Sequence, residues 1–268
     1  ARNSADTVIA KEELAASWEA SKRVEKSRDS VMDGIPAALP ALLYALKVQK
    51  KAASLGELTY ARIAEPARGQ AAAPDAMGIG PGERVAMVSQ NAARMLVSFF
   101  GVSAWGRVFV PINFRLSPAE ISYIVEHCGA SLLLVDPELD EALSSVTAPR
   151  RMVIGAETDV ELFGLESDAE PEPWEHDEDA TATINYTSGT TARPKGVQMT
   201  HRNLWINAMG FGWHAGVNDR DVYLHTLPMF HCNGWGMPYA VTGMGVRQVV
   251  LRKVDGAEIL RRIEAQGV

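Results

Sequence analysis

The sequence predicts an α/β protein of largely parallel sheets with flanking helices, preceded by a helical hairpin, and three observations carry that prediction. Strand-like and helix-like stretches alternate from residue 58 onward, the pattern of right-handed βαβ units. Ser131 to Val135 (S-L-L-L-V) is a near-continuous apolar run, as expected of a parallel strand covered on both faces. From Thr181 a stretch of β-type residues breaks into small and hydroxylated ones, Thr187 to Arg193, and closes on Pro194-Lys195-Gly196.

Composition sets the bounds. At 268 residues the chain can hold one large domain or two ordinary ones. Its 47% hydrophobic and 22% charged content is that of a soluble globular protein. A net charge of −7 with no basic run argues against a general nucleic-acid binder. Cys128 and Cys232 are too few for a disulfide framework and fit the reducing cytoplasm. The longest strongly apolar stretch, around Met95 to Val102, is too short to span a bilayer, so no transmembrane segment is expected. No signal peptide is visible, and alanine at position 1 leaves the true start open.

Taken in order, residues 8–28 read as a charged amphipathic helix with Val8, Leu14, Trp18 and Val24 on a sparse apolar face. Asp33-Gly34 and Pro36 break it, and a second helix from Pro40 ends at Gly56. Leu58 to Tyr60 opens as a strand, and Ala61 to Met77 has helical composition. Pro66 and Pro74 fall inside that helix, so it is expected to break or fray. Strand Glu83–Ser89, helix Asn91–Trp105 and strand Arg107–Ile112 follow. The next helix carries Ser117 as cap, Pro118 in its first turn and Glu120 completing a capping box. Asp159 to Asp179, acidic and holding Pro171 and Pro173, reads as a solvated linker. After it come the strand at Thr181, a poorly packed loop Thr187–Lys195, and a helix from His201 to about Trp213. Trp205, Met209 and Trp213 recur on that helix at core spacing. Strands Val222–Thr226 and Val246–Leu251 lead to a final helix capped by Asp255.

The stretch Y-T-S-G-T-T-A-R-P-K-G-V holds what a phosphate chain needs. Ser188, Thr190 and Thr191 offer hydroxyls, Gly189 and Gly196 let the backbone approach closely, and Lys195 supplies a cation. It is not a Walker A loop, because Lys195 is followed by Gly196 and Val197 rather than Ser or Thr. By composition alone it reads equally as a surface loop. By residue order it resembles the AMP-binding signature of the adenylate-forming superfamily. Downstream, L-P-M-F-H-C-N-G-W (Leu227 to Trp235) is similar to the next landmark of the acyl-CoA ligase branch. The resemblance covers residues 57–268 and implies an incomplete amino-terminal AMP-binding domain of an adenylate-forming enzyme.

What the resemblance implies is specific. Thr187, Ser188, Gly189, Thr190, Thr191, Lys195 and Gly196 would bind ATP, with Lys195 and Thr190 in the catalytic step and Arg193 pointing to water. His231, Asn233, Gly234 and Trp235 would wall the acyl pocket, although Trp235 reads equally as core. His225, His231 and Cys232 make a poor zinc set, and no protein-held metal is expected. The implied activity is an ATP-dependent carboxylic acid–CoA ligase using ATP, Mg²⁺ and coenzyme A on a compact acid. The family's later landmarks (an acidic Mg²⁺ motif, a ribose-binding aspartate, a hinge, a lysine on a mobile domain) cannot be placed before Val268. The chain alone is therefore expected not to complete the reaction, and its open sheet edges are expected to favour self-association. A non-catalytic nucleotide- or partner-binding role is the alternative. Residues 8–56, through the stretch from Ser17 (S-W-E-A-S-K-R-V-E-K) to Gly56, resemble a segment of MazG-type nucleoside triphosphate pyrophosphohydrolases. The E-E-x-x-E metal motif of those enzymes is missing, since Glu12-Glu13 lacks a third glutamate. A hydrolase is the less favoured reading, and a fusion, a frame join or an assembly artefact near Gly56 would each produce such a chain.

Overall fold

Side chains along a strand alternate between the two faces of a sheet, and here both faces are apolar. On β1 (Arg84–Val88), Val85 and Met87 enter one core and Ala86 and Val88 the other. β3 (Ala130–Val135) repeats the pattern, with Leu132 and Leu134 on one side and Leu133 and Val135 on the other. Both strands are central, as two-sided burial requires. The structure, a computed structural model, describes residues 58–163, 169–187 and 193–268. The hairpin and MazG-like segment expected over residues 1–56 lie outside the described residues.

The main sheet has six strands in the order β4-β3-β1-β2-β5-β6, where β2 is Val108–Ile112, β4 Arg150–Val153, β5 Thr181–Thr187 and β6 Lys195–Thr200. All pairs are parallel except β5–β6. Helices α1 (Leu58–Ala76), α2 (Ala93–Gly101) and α4 (Ala156–Phe163) pack on the first core; α3 (Pro118–Cys128) covers the second. Helices α5 (His201–Ala215) and α6 (Met237–Gly243) extend the first core beside a two-stranded parallel sheet of β7 (Val222–His225) and β8 (Arg247–Val250). Helix α7 (Gly256–Gln266) closes the chain with no buried residue. The predicted α/β class with mostly parallel strands and flanking helices is observed.

Several local expectations are corrected. Leu58 to Tyr60 is helical rather than a strand, and α1 runs unbroken through Pro66 and Pro74. Tertiary contacts override the local penalty of the prolines. Ile63, Ala67 and Ala71 are buried, Gln70 Nε2 donates to Ser98 Oγ at 2.8 Å, and the buried Arg107 bonds Ala71 O, Ile79 O and Asp75. The Asp159–Asp179 segment is not uniformly solvated: Asp159 lies in α4 paired with Arg94, and Trp174 lies against Gly106 and His201. Strand β6 was not expected between the loop and α5. Trp213 is 84% exposed rather than core, because α5 buries the stripe His201, Leu204, Ala208 and Gly212 instead. Small residues there permit close approach: a Cβ on Gly212 would meet Met244 Cε at 2.6 Å.

The α3 capping box is formed as expected: Ser117 Oγ accepts from Glu120 N and Glu120 Oε2 accepts from Ser117 N at 2.8 Å. Ser117→Ala is expected to cost about 1 kcal/mol in urea denaturation. A loss below a few tenths would show that the exposed cap contributes nothing beyond what water supplies.

Candidate functional site

The site forms where the chain leaves and re-enters the edge of the main sheet. β5 ends at Thr187, and β6 begins at Lys195, its register partner. Ser188, Gly189, Thr190 and Thr191 lie outside the described residues. Lys195 and Gly196 are exposed at the base of the loop, and Lys195 forms no ion pair with the described residues. Both flanks of the loop rest on α3. Tyr186 Oη and His127 Nδ1 are 2.7 Å apart, and the Arg193 guanidinium sits 5.4 Å from the centroid of the Tyr123 ring. Arg193 is thus exposed but stacked, not simply directed to water.

Residues 227–235 cross from β7 over the carboxyl ends of the main strands. Asn91, just beyond β1, fixes them by donating from Nδ2 to Leu227 O at 2.8 Å and accepting from Met229 N at 2.8 Å. The chain then turns through five successive residues of positive φ: Cys232 (46°), Asn233 (48°), Gly234 (57°), Trp235 (62°) and Gly236 (73°). Left-handed backbone costs an L-residue about 1–2 kcal/mol, with asparagine among the more tolerant types. Glycine suits the end of the bend, where φ is 73° and a Cβ on Gly236 would displace the Asn207 amide.

A buried ring of hydrogen bonds holds this bend to the signature strand. Asn185 Nδ2 donates to Asn233 Oδ1 at 2.8 Å, Asn233 Nδ2 donates to Thr183 Oγ1 at 3.2 Å, and Thr183 Oγ1 donates to Asn185 Oδ1 at 3.4 Å. Asn233 is 1% exposed and Gly234 is buried, whereas His231, Cys232 and Trp235 project outward, Trp235 at 62% exposure. The core alternative for Trp235 is therefore corrected. Sequence reading missed Asn91, Thr183 and Asn185. For Thr183 and Asn185 the available signal was two polar residues spaced by two on a strand whose alternate positions are Ala182, Ile184 and Tyr186; Asn91, past the end of β1, gave none.

Between β1 and β3, whose outgoing connections run to opposite sides, a doubly wound sheet opens a crevice. Here Arg252, just beyond β8, fills it. Its guanidinium donates to Asp136 at 2.8 and 3.1 Å, and Ser89 Oγ donates to the same carboxylate at 2.7 Å. Burial pushes the Asp136 carboxyl up, but the bonds from Arg252, Ser89 and Glu138 N outweigh it and hold it below its ordinary value. Two histidines are buried, His225 at the end of β7 and His201 at the opposite end of the sheet, beside the start of β5. Burial pushes His225 down to about 4 despite its 2.8 Å contact with Gln248, and burial with His176 pushes His201 down to about 4.

Among the described residues no group of three or more His, Cys, Asp or Glu side chains is placed to hold a metal ion. No helix among them is long and apolar enough to cross a membrane. A cavity of about 600 Å³ opens at the amino ends of β1, β2 and β5, lined in part by Arg84, His127, Trp174 and Tyr186. Lys195 and residues 231–235 do not line it, but Gly196 and Tyr186 do, so it reaches the base of the loop from the α3 side.

Comparison with known proteins agrees with the fold. The AMP-binding enzyme family profile matches residues 36–268, beginning ahead of residue 57, where the resemblance was expected to start. A 4-hydroxybutyrate–CoA ligase of Metallosphaera sedula is 36% identical over 229 residues, covering 78% of this chain and 42% of the relative. A long-chain-fatty-acid–CoA ligase of Thermus thermophilus is 34% identical, covering 78% and 41%. The chain thus spans less than half the length of these relatives. In three dimensions it is similar to the inhibitor-bound N-terminal domain of FACL13 from Mycobacterium tuberculosis, with TM-score 0.72, 28% identity and coverage of 78% and 54%. The o-succinylbenzoate–CoA synthetase of Bacillus subtilis, in complex with ATP and magnesium, matches at TM-score 0.67 and 27% identity, covering 79% of this chain and 55% of that one. With a family match over most of its length and with ligase relatives and neighbours alike in sequence and fold, the chain belongs to the AMP-binding enzyme family.

Proposed function

We propose that these residues bind ATP and the acid substrate in an ATP-dependent carboxylic acid–CoA ligase. In the first step a carboxylate oxygen attacks the α-phosphorus of ATP and the bond to pyrophosphate breaks, giving acyl-adenylate. In the second the CoA thiol attacks the acyl carbon, AMP departs and a thioester forms. Such a first step is accelerated mainly by positioning and charge neutralisation. Lys195 is assigned to the ATP phosphates, with Thr190 beside it in the catalytic step. Thr187, Ser188, Gly189, Thr191 and Gly196 complete the nucleotide loop. Mg²⁺ would enter with the phosphates of ATP. His231 and Trp235 face the acid. Gly234 allows the bend that carries them, and Asn233 acts from behind it.

The observation that carries this reading is the buried Thr183–Asn185–Asn233 ring. It joins the strand entering the nucleotide loop to the bend carrying His231, so both substrates would meet at one sheet edge. Relatives named for 4-hydroxybutyrate, for acetate and butyrate, and for long-chain fatty acids all act on carboxylic acids. A compact acid is the substrate proposed here. The same reading places the protein in the cytoplasm. It gives the 268-residue polypeptide weak or no ATP–pyrophosphate exchange and no thioester product, since 78% of the chain matches only 42% and 41% of the ligase relatives. It also proposes self-association through the outer edge of β6, where Val197 is 48% exposed, to be checked by sedimentation.

The test is calorimetric titration of ATP. Lys195→Ala is expected to lose about 1.5–3 kcal/mol of binding, the worth of a charge-assisted phosphate contact, while Arg193→Ala stays close to the parent. Equal affinities of the two variants would remove Lys195 from the phosphate site. ATP binding without pyrophosphate exchange in any longer form containing these residues would favour the non-catalytic alternative.

A further inference from the structure

We infer that Asn185 and Thr183 are positioning residues for the acid side of the site: acting through Asn233, they hold the left-handed bend that presents His231 and Trp235. The inference rests on the acid-binding role proposed for those two side chains.

Three features point to it. The bend places three non-glycine residues, Cys232, Asn233 and Trp235, at positive φ, so its conformation has to be imposed from outside. Asn233 is at its centre, and the ring of bonds with Thr183 and Asn185 closes on itself, each member donating once and accepting once. All three residues are buried, at 0%, 7% and 1% exposure for Thr183, Asn185 and Asn233, so water cannot stand in for a lost partner. His231 and Trp235 flank the ring yet remain exposed, so it sets their direction without burying them. Removing Asn185 leaves Asn233 Oδ1 without its donor and frees the bend to relax. The nucleotide loop, anchored separately by Tyr186 and Arg193 on α3, keeps its support.

The experiment compares the full chain with Asn185→Ala, Thr183→Val and Ser103→Ala. Ser103 Oγ donates to Ala182 O at 2.8 Å, a buried bond to the same strand that does not reach the bend. Hydrogen exchange at the amides of residues 231–236 is followed by mass spectrometry, with binding of ATP and of the acyl-adenylate mimic 5′-O-(N-butyryl)sulfamoyl adenosine. Asn185→Ala and Thr183→Val are expected to speed exchange at 231–236 at least about tenfold and to weaken the mimic about tenfold, leaving ATP within about twofold. Ser103→Ala is expected to change none of these selectively. Thr183→Val keeps the β-branched shape, so it still decides the matter if Asn185→Ala fails to fold. Unchanged exchange at 231–236 in a folded variant, or equal losses for ATP and mimic, would overturn the inference. If the unaltered chain bound neither ligand, the functional reading would fail while the exchange result still tested the positioning claim.

Discussion

Lowering the pH from 7 to about 4.5 is expected to remove about half of the stability of this fold, through His201 and His225. Both imidazoles are buried, at 1% and 2% exposure, and burial holds each at about 4 in the folded protein. An unfolded chain returns them to about 6.5, so it takes up protons at a pH where the folded state does not. Their contribution is therefore complete above about pH 6.5 and is lost progressively as pH falls to about 4, each worth about 3 kcal/mol. Together that is about half of the 5–15 kcal/mol that folded domains typically possess. The window separates them from Asp136, whose lowered carboxyl contributes stability that is lost only below the ordinary carboxylate range. Neither ring nitrogen of His201 has a hydrogen-bond partner among the described residues, and its ring lies 5.2 Å from that of Trp174. His201→Phe is thus expected to keep the stacking, lose no hydrogen bond at pH 7, and remove about half of the acid sensitivity. Urea denaturation at a series of pH values reads the slope directly; a flat profile between pH 6.5 and 4.5 would show that both imidazoles titrate normally.

Arg252→Ala is expected to cost about 3 kcal/mol, the low end for breaking a buried ion pair, because the guanidinium itself is 38% exposed. The loss comes from Asp136, whose side chain is 2% exposed and would keep its charge with only Ser89 Oγ and the Glu138 amide as donors. Arg252→Lys is expected to recover only part of it, since an ammonium cannot match both carboxylate oxygens as the planar fork does. This pair joins the ends of β1 and β3 to the segment beyond β8, so the variant also loosens the smaller sheet from which residues 227–235 emerge. Faster hydrogen exchange in β7 and β8 accompanies the loss of stability. A change below about 1 kcal/mol would class the pair with surface salt bridges.

Much of this molecule was determined locally. The two-sided strands Arg84–Val88 and Ala130–Val135 were legible because every residue of a doubly covered strand must be apolar or matched. The α3 cap was legible because Ser117, Pro118 and Glu120 satisfy one another within a single turn. The two stretches that carry the family resemblance, Tyr186 to Val197 and Leu227 to Trp235, were legible because each is a run of consecutive residues.

What only the tertiary structure decided depends on partners distant in the chain. Helix α1 survives Pro66 and Pro74 because Arg107 and Ser98 hold it from other elements. β6 exists because β5 offers it an edge, and Trp213 is exposed because α5 presents Ala208 and Gly212 to its neighbours. The link between the two motifs, Asn185 to Asn233 across 48 residues, belongs to the same class. A local pattern can show that an asparagine faces inward, but its partner is selected by how the strands and bends pack, because a buried amide must be bonded by whichever group the fold brings within reach.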